Sequence, residues 1–340
     1  MTAANTVTAS FDRRYMNHAL AIARRGLGNV WPNPAVGCVI VRDGVVVGRG
    51  WTQPGGRPHA ERRALDQAGS RAAGATAFVT LEPCAHIGHT PPCATALIDA
   101  GVARVVTALT DPDPRVAGRG HDMLRAAGIA VTEGVCADAA RWLQAGFLSR
   151  VTKGRPMVTL KLAASFDGRI ATKTGESQWI TSQAARRHTH LLRLTHDAVM
   201  VGGGTARQDK PSLNVRGFGR VRQPVRVVVS SQDVTDLPPE GPDFGPLWRV
   251  GGPLKEVMQD LGASGLTRVL CEGGGKLAAS LLAAGLVDEL VGYTAGVVIG
   301  AEGLASVGKL SLNRLSDAPR FDLVETRRIG PDVFHRWRAA

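Results

Sequence analysis

Acidic residues, aromatic residues and cysteines are all scarce in this 340-residue chain, and each shortage excludes something. Asp and Glu number 29 against 41 Lys and Arg, which leaves a formal charge of +12. Such a surface favours anionic partners, whether phosphorylated metabolites, dinucleotides or nucleic acid. Aromatic residues make up only 5%, and the basic residues are scattered without a long Lys/Arg run. A single-strand binder wants aromatic platforms along a basic groove, so nucleic acid is not the expected partner. The five cysteines (Cys38, Cys84, Cys93, Cys136 and Cys271) are odd in number and dispersed, which is not a disulfide framework. Cys38 and Cys271 sit in apolar strand-like runs and read as reduced core thiols. No apolar run is long enough to cross a bilayer. The N-terminus lacks the apolar core of an export signal, because Arg13-Arg14 leads into a polar helical stretch. A cytoplasmic chain with no membrane partner is expected.

What is present is a constellation of His59, Glu61, Cys84 and Cys93. Zinc favours nitrogen and thiolate ligands, and a catalytic zinc takes three from the protein and keeps one position open for water. His59, Cys84 and Cys93 supply such a set. Glu61 is the proton shuttle that nucleobase deaminases place beside their zinc without ligating it. The general signature closes with P-C-x-x-C, whereas Pro83-Cys84 is separated from Cys93 by eight residues. Pro58 and Pro92 mark helix starts, and the apolar run Ala77 to Leu81 reads as a buried strand before Cys84. The ligands are therefore expected at a strand end and at helix starts, where free N–H groups stabilise thiolates.

The length suggests two domains. In the first, we expect a helix over Phe11 to Arg25 with Ser10 as its cap. A strand Val36 to Val41 should turn at Asp43-Gly44 into a return strand, Val45 to Val47. Further strands are predicted at Ala103 to Leu109 and Ile129 to Val131, with helices at His121 to Ala127 and Ala137 to Arg150. Alternation of this kind gives an α/β layer with helices on both faces. Its ligands collect at strand ends, so the Asn33, Asp111 and zinc segments should converge. After a short linker at 151–156, a strand Met157 to Ser165 carries Lys161. A helix Gln183 to Thr195 and a strand Asp197 to Val201 follow, the strand meeting Gly202-Gly203-Gly204-Thr205. A strand Thr267 to Glu272 meets Gly273-Gly274-Gly275-Lys276 and a helix from Leu277 to Ala284. Two strand–glycine–helix junctions suggest a phosphate or nucleotide ligand, although neither is G-x-G-x-x-G or a P-loop. Ser231 to Gly252 reads as a loop insertion. Strand-like runs close the chain at Glu289 to Thr294, Phe321 to Arg327 and Val333 to Trp337.

Taken in order, several segments resemble the bifunctional riboflavin-biosynthesis deaminase-reductase family over almost the whole chain. They are Pro32-Asn33-Pro34, His59-Ala60-Glu61, Thr80-Leu81-Glu82-Pro83-Cys84, Thr90-Pro91-Pro92-Cys93, Val116-Ala117-Gly118-Arg119-Gly120, Lys161 to Ser165, Gly175 to Ile180 and Glu272-Gly273-Gly274. The resemblance implies a cytidine-deaminase-like α/β/α domain over 1–152 and a dihydrofolate-reductase-like α/β domain over 153–340. It implies zinc-dependent deamination of 2,5-diamino-6-ribosylamino-4(3H)-pyrimidinone 5′-phosphate, then NADPH-dependent reduction of the ribosyl chain to ribityl, in a homo-oligomer. It carries zinc ligation to His59, Cys84 and Cys93 and catalysis to Glu61, Lys161 and Asp209. Contact with NADPH falls to Ala163, Trp179, Thr205, Asp209 and Ser230, and to the turn Gly274, Gly275, Lys276, Leu277, Ala278, Ala279 and Ser280. Substrate contact falls to Asn33, Asp111, the 86–91 loop, Ser177, Arg193, Leu213, Arg216 and Glu272, with Arg193 and Arg216 able to grip a phosphate bidentately. Three positions depart from the family pattern. His89 stands where Lys or Arg is usual, Asp113 where Asn is usual, and Gln208 where a second Asp is common.

Two other readings compete. A tRNA adenosine deaminase-like enzyme would share the zinc site and favour a basic surface, but the second half of the chain carries no RNA-binding motif. A deaminase fused to a non-catalytic NADPH-binding domain would fit Gln208, but would leave Lys161, Asp209 and Glu272 without a role.

Overall fold

The computed structural model describes residues 3–86, 91–113, 117–235 and 237–340, without the side chains of 3–7. The chain forms two compact units, Met1–Lys153 and Gly154–Ala340.

In the first unit, helix α1 (Ala3–Ala23) is followed by strands β1 (Gly37–Arg42) and β2 (Val45–Trp51), helix α2 (Ala60–Ala68) and strand β3 (Thr76–Val79). Then come α3 (Cys93–Asp99), β4 (Arg104–Thr107), α4 (Arg119–Ala126), β5 (Ala130–Thr132), α5 (Ala137–Leu143) and α6 (Ala145–Lys153). The sheet runs β2-β1-β3-β4-β5, with β3, β4 and β5 parallel and the β1–β2 hairpin antiparallel. Small residues let the helices lie close on this sheet. A Cβ on Gly48 would stand 2.1 Å from the Ala64 carbonyl oxygen, and one on Gly50 would stand 2.3 Å from that of Ala60. This close approach holds the start of α2, and with it His59 and Glu61, against β2. Arg104 on β4 donates to both oxygens of the buried Asp12 on α1 (2.8 and 2.6 Å) and to Thr132 on β5 (2.8 Å), tying three elements together.

Two expectations change here. Helix α1 starts well before Phe11, so Ser10 lies inside it and caps nothing. The helix expected over Ala137 to Arg150 is broken at Gln144. The Gln144 side chain is buried and donates to the Ala35 carbonyl (2.8 Å), which pins the Asn33 loop.

In the second unit, strands β6 (Met157–Ser165) and β7 (Arg169–Ala171) precede α7 (Gln183–Leu194), β8 (Ala198–Gly202), α8 (Gly203–Asp209) and β9 (Val225–Val229). Then follow β10 (Leu247–Val250), α9 (Leu254–Ala263), β11 (Arg268–Cys271), α10 (Gly275–Ala283), β12 (Glu289–Ala295), β13 (Leu304–Ala305), β14 (Phe321–Ile329) and β15 (Asp332–Ala339). The main sheet runs β10-β9-β8-β11-β6-β12-β15-β14, parallel from β10 to β12 and antiparallel over the last pairings. The segment 231–252 is not loop alone, because it contains β10. Arg226 on β9 is 1% exposed and donates to the carbonyls of Gly245, Pro238 and Pro239, which anchors the irregular stretch before β10. Helix α10 begins at Gly275, earlier than Leu277, and the Gly203–Asp209 helix directly follows β8.

Candidate active sites

His59 is the N-cap of α2 and Cys93 the first residue of α3, while Cys84 lies in the irregular segment after β3. The His59 Nδ1 atom is 3.7 Å from Cys84 Sγ and 3.3 Å from Cys93 Sγ, and all three donor atoms fall within 4.8 Å of one another. Tetrahedral zinc, with bonds of about 2.3 Å to sulfur and about 2.0–2.1 Å to nitrogen, sets such atoms about 3.6 Å apart. The observed spacings straddle that value, so the donor set fits the ion in both chemistry and geometry. The Cys93 N–H donates to Cys84 Sγ (3.3 Å), supporting a thiolate. Hydrogen bonding from Cys93, with help from His59, brings the Cys84 thiol down to about 4. The same contact and burial push Cys93 up.

Glu61, in the first turn of α2, is 3% exposed. Burial, reinforced by the Cys84 thiolate, raises its carboxyl to about 7. A cleft lined by His59, Glu61 and Cys84 also takes in Asn33, Arg57, His86, Asp111 and Asp113, so the Asn33, Asp111 and zinc segments do converge. The turn before His59 is locked onto the Asn33 loop: the Gly55 N–H donates to the Asn29 carbonyl (2.9 Å), and a Cβ on Gly56 would stand 1.8 Å from Asn33 Nδ2. Asp111 is 8% exposed; burial, together with the neighbouring Asp113 and Glu82 carboxylates, raises it to about 6. His89 and the rest of 87–90, like 114–116, lie outside the described residues.

Sequence reasoning assigned no role to Glu82. This side chain is 3% exposed. Its Oε2 accepts the N–H of Asp111 (3.0 Å) and Gly118 (3.0 Å), and its Oε1 accepts those of Gly120 (2.9 Å) and His121 (3.4 Å). One carboxylate thus holds the segment that presents Asp111 to the cleft. A Glu directly before Pro83-Cys84 reads in sequence as a surface charge, and its loop partners lie 29 to 39 residues away. Glu82→Gln replaces one acceptor by a donor facing two N–H groups, and unsatisfied buried donors cost about 1–3 kcal/mol each. We expect a lower urea midpoint for the first unit and weaker substrate binding, with NADPH binding by the second unit unchanged. Equal urea midpoints for variant and wild type would show that the carboxylate does not organise this segment.

In the second unit, Lys161 on β6, Arg193 on α7 and Glu272 just after β11 form one half-buried cluster. Arg193 grips Glu272 through Nε (2.6 Å) and Nη2 (3.1 Å) and donates through Nη1 to the Asn214 carbonyl (2.7 Å). Lys161 Nζ is 3.8 Å from Glu272 Oε2. Burial pushes the Glu272 carboxyl up, but the Arg193 and Lys161 cations outweigh it and bring the group down to about 2. Burial lowers Lys161, with Glu272 opposing and Arg193 assisting. Arg193, expected as a phosphate grip, here directs its guanidinium at Glu272. Arg216 is exposed and the neighbouring Leu213 is buried in the core with Ala206.

Of the residues expected to touch NADPH, Thr205, Ser230 and Gly274 lie past the carboxyl ends of β8, β9 and β11, where open parallel sheets bind ligands. The Gly274 N–H donates to Thr205 Oγ1 (3.2 Å), bringing the starts of α8 and α10 together. Ser230, after β9, accepts from Arg207 Nη1 (3.4 Å). A Cβ on Gly204 would meet nothing within 4 Å, which leaves room for a ligand against the backbone. The other glycines serve packing: a Cβ on Gly203 would stand 2.3 Å from Ser230 Oγ, and one on Gly275 would stand 2.5 Å from the Ala305 carbonyl oxygen. Gly274, Gly275 and Leu277 are half-buried, Lys276 and Ser280 exposed, and Ala278 and Ala279 point into the core. Trp179 is 66% exposed, with the Arg186 guanidinium 4.3 Å from its ring centroid. Ser177 and Ala163 are half-buried. Asp209 closes α8 and is exposed. Gln208 lies beside the 172–176 turn, its Nε2 3.1 Å from where a Cβ on Gly175 would stand.

Residues 9–109 match the cytidine and deoxycytidylate deaminase zinc-binding region, and residues 156–335 match the RibD C-terminal domain. The riboflavin biosynthesis protein RibD of Escherichia coli is 43% identical over 95% of this chain and 98% of its own length. That of Aquifex aeolicus is 38% identical over 95% and 97%. Among solved structures, Acinetobacter baumannii RibD superposes with a TM-score of 0.87 at 37% identity, covering 98% of this chain and all of the other. A diaminohydroxyphosphoribosylaminopyrimidine deaminase/5-amino-6-(5-phosphoribosylamino)uracil reductase from Thermotoga maritima does so with a TM-score of 0.87 at 32% identity, with the same coverage. With both halves matched and relatives aligned from end to end, the chain belongs to the RibD family of riboflavin biosynthesis enzymes, a zinc-binding deaminase joined to an NADPH-dependent reductase.

Proposed function

We propose that the unit Met1–Lys153 deaminates 2,5-diamino-6-ribosylamino-4(3H)-pyrimidinone 5′-phosphate and that the unit Gly154–Ala340 then reduces the ribosyl chain of the product to ribityl. The observation that carries the first step is the His59, Cys84 and Cys93 donor set, two of whose members line one cleft with the buried Glu61. His59, Cys84 and Cys93 hold the zinc ion. When bound, that ion supplies the Lewis acidity that brings a water's pKa toward neutrality. Glu61 takes a proton from the attacking water, passes it to the ring nitrogen next to C2, and delivers the second proton to the departing amine. A carboxyl raised by burial suits a group that both accepts and donates near neutral pH. Asn33 and Asp111 orient the pyrimidine and ribose.

In the second unit, Thr205, Ser230, Asp209, Trp179, Ala163 and the Gly274 to Ser280 turn would hold NADPH. When bound, it supplies the hydride. Lys161, with its ammonium disfavoured by burial, handles the proton at the ribose oxygen, and Glu272 positions the sugar with Ser177. Because Arg193 is engaged with Glu272, the exposed Arg216 takes the substrate phosphate. Self-association belongs to the same proposal, with Leu323, Val324 and Val333 (52%, 41% and 48% exposed) as exposed apolar side chains on the terminal hairpin. Light scattering reads it. No helix of the described residues is long and apolar enough to cross a membrane.

The test follows ammonia release and NADPH oxidation together on the diaminopyrimidinone ribosyl phosphate. Both should occur, ammonia first. Ammonia without NADPH oxidation, even when the deaminated intermediate is supplied, would reduce the second unit to a nucleotide-binding module.

A further inference from the structure

The proposed substrate carries a phosphate dianion, and the deaminase cleft is poor in groups to receive one. Among its described lining residues are four carboxyl groups, those of Glu61, Glu82, Asp111 and Asp113, and a single Lys or Arg, which is Arg57. Arg57 is set in a fixed place. The residue before it, Gly56, packs directly against the Asn33 side chain, and two residues after it comes His59. The Gln53 N–H donates to the Pro58 carbonyl (3.1 Å) and the Gly56 N–H to the Gln53 carbonyl (2.8 Å), closing the turn that carries it. Its side chain therefore leaves the backbone between the group proposed to orient the pyrimidine and the metal-binding histidine.

We propose that Arg57 is the phosphate-binding cation of the deaminase cleft and discriminates phosphorylated from unphosphorylated pyrimidine ribosides. This rests on the deaminase reading above. A guanidinium offers two parallel N–H donors matched to a phosphate edge and stays charged at every working pH. A cleft with four carboxyl groups and no such cation would repel a dianion. With Arg57 a phosphate ester gains charge-assisted hydrogen bonds that an unphosphorylated competitor does not, so the cation itself favours the phosphate ester.

The experiment compares wild type with Arg57→Gln and Arg57→Lys on the phosphorylated diaminopyrimidinone riboside and on the same compound after phosphatase treatment. Zinc content and thermal midpoint are checked for each. Losing charge-assisted hydrogen bonds should lower kcat/KM for the phosphorylated substrate by about 10- to 100-fold, mainly through KM. The dephosphorylated compound should change less than about threefold, and Arg57→Lys should fall between. Competitive inhibition of ammonia release by inorganic phosphate should be present in wild type and lost in Arg57→Gln. An equal fall on both compounds, or phosphate inhibition that survives in Arg57→Gln, overturns the proposal while leaving the deaminase reading intact. No ammonia from zinc-loaded wild type overturns the deaminase reading, and this proposal with it.

Discussion

Glu61→Gln should reduce ammonia release by about 10²–10⁴-fold, the usual size of a positioned acid–base group, while zinc stays bound. The upper end is expected because one carboxyl serves two proton transfers. The substitution keeps the volume of a side chain that is 3% exposed, so the start of α2 should stay in place. His59, Cys84 and Cys93 are untouched, and metal analysis separates this variant from one that has simply lost zinc. NADPH oxidation started from the diamino substrate should fall in step with ammonia. Oxidation started from the supplied deaminated intermediate should be unchanged, because Lys161 and Glu272 belong to the other unit. A variant that keeps ammonia release within tenfold of wild type would remove Glu61 from the chemistry.

The same substitution has a stability signature of opposite sign. Burial, aided by the Cys84 thiolate, raises the Glu61 carboxyl in the folded chain above its ordinary value. For an acid whose folded pKa is raised, stability is lost as pH climbs from the unfolded value through the folded one. The metal-free wild type therefore carries this cost at neutral pH and above, and metal-free Glu61→Gln should melt higher at pH 8 than wild type while the two converge near pH 4. Gain of stability with loss of activity is what a group kept for chemistry predicts.

The zinc centre was readable because its constraints are local. His59-Ala60-Glu61 spans one helix start, Pro58 and Pro92 announce helix openings, and Cys93 opens α3 directly. Strand segments were readable from their β-branched runs, but their order in the sheets was not. Position β11 between β8 and β6 depends on crossovers that no local pattern encodes. The four residues of β10 hid in a Pro/Gly/Asp-rich stretch because they become a strand only by pairing with β9. Buried charge was the least legible feature. Glu82 and Arg226 carry no sequence signal of burial, and each is buried against partners that lie 12 to 39 residues away. At the glycine-rich junctions, whose sequence suggests a phosphate or nucleotide ligand, Gly203 and Gly275 are also required by neighbours within the unit.

Arg193→Met should destabilise the second unit by about 3–5 kcal/mol, the cost of stranding one member of a buried ion pair. At this size of unit that is roughly a 10 °C fall in melting temperature. The reason is Glu272, which is held ionised at about 2 by Arg193 and Lys161 against the effect of burial. A carboxyl depressed in the folded state contributes stability above its unfolded pKa and loses it as pH falls from about 4.5 toward about 2. Without Arg193 that acid-sensitive window should move upward, because Lys161 at 3.8 Å is a weaker partner than a bidentate guanidinium. Kinetics then separate two roles. If Arg193 positions Glu272, the variant loses kcat for NADPH oxidation with little change in KM for the deaminated phosphate. If Arg193 gripped the phosphate, KM would rise and the acid profile would not move. The double variant Arg193→Met with Glu272→Leu decides the stability question, since removing both charges should recover much of the lost stability without recovering activity. A double variant as unstable as the sum of the two singles would mean that the pair is not what holds Glu272 ionised.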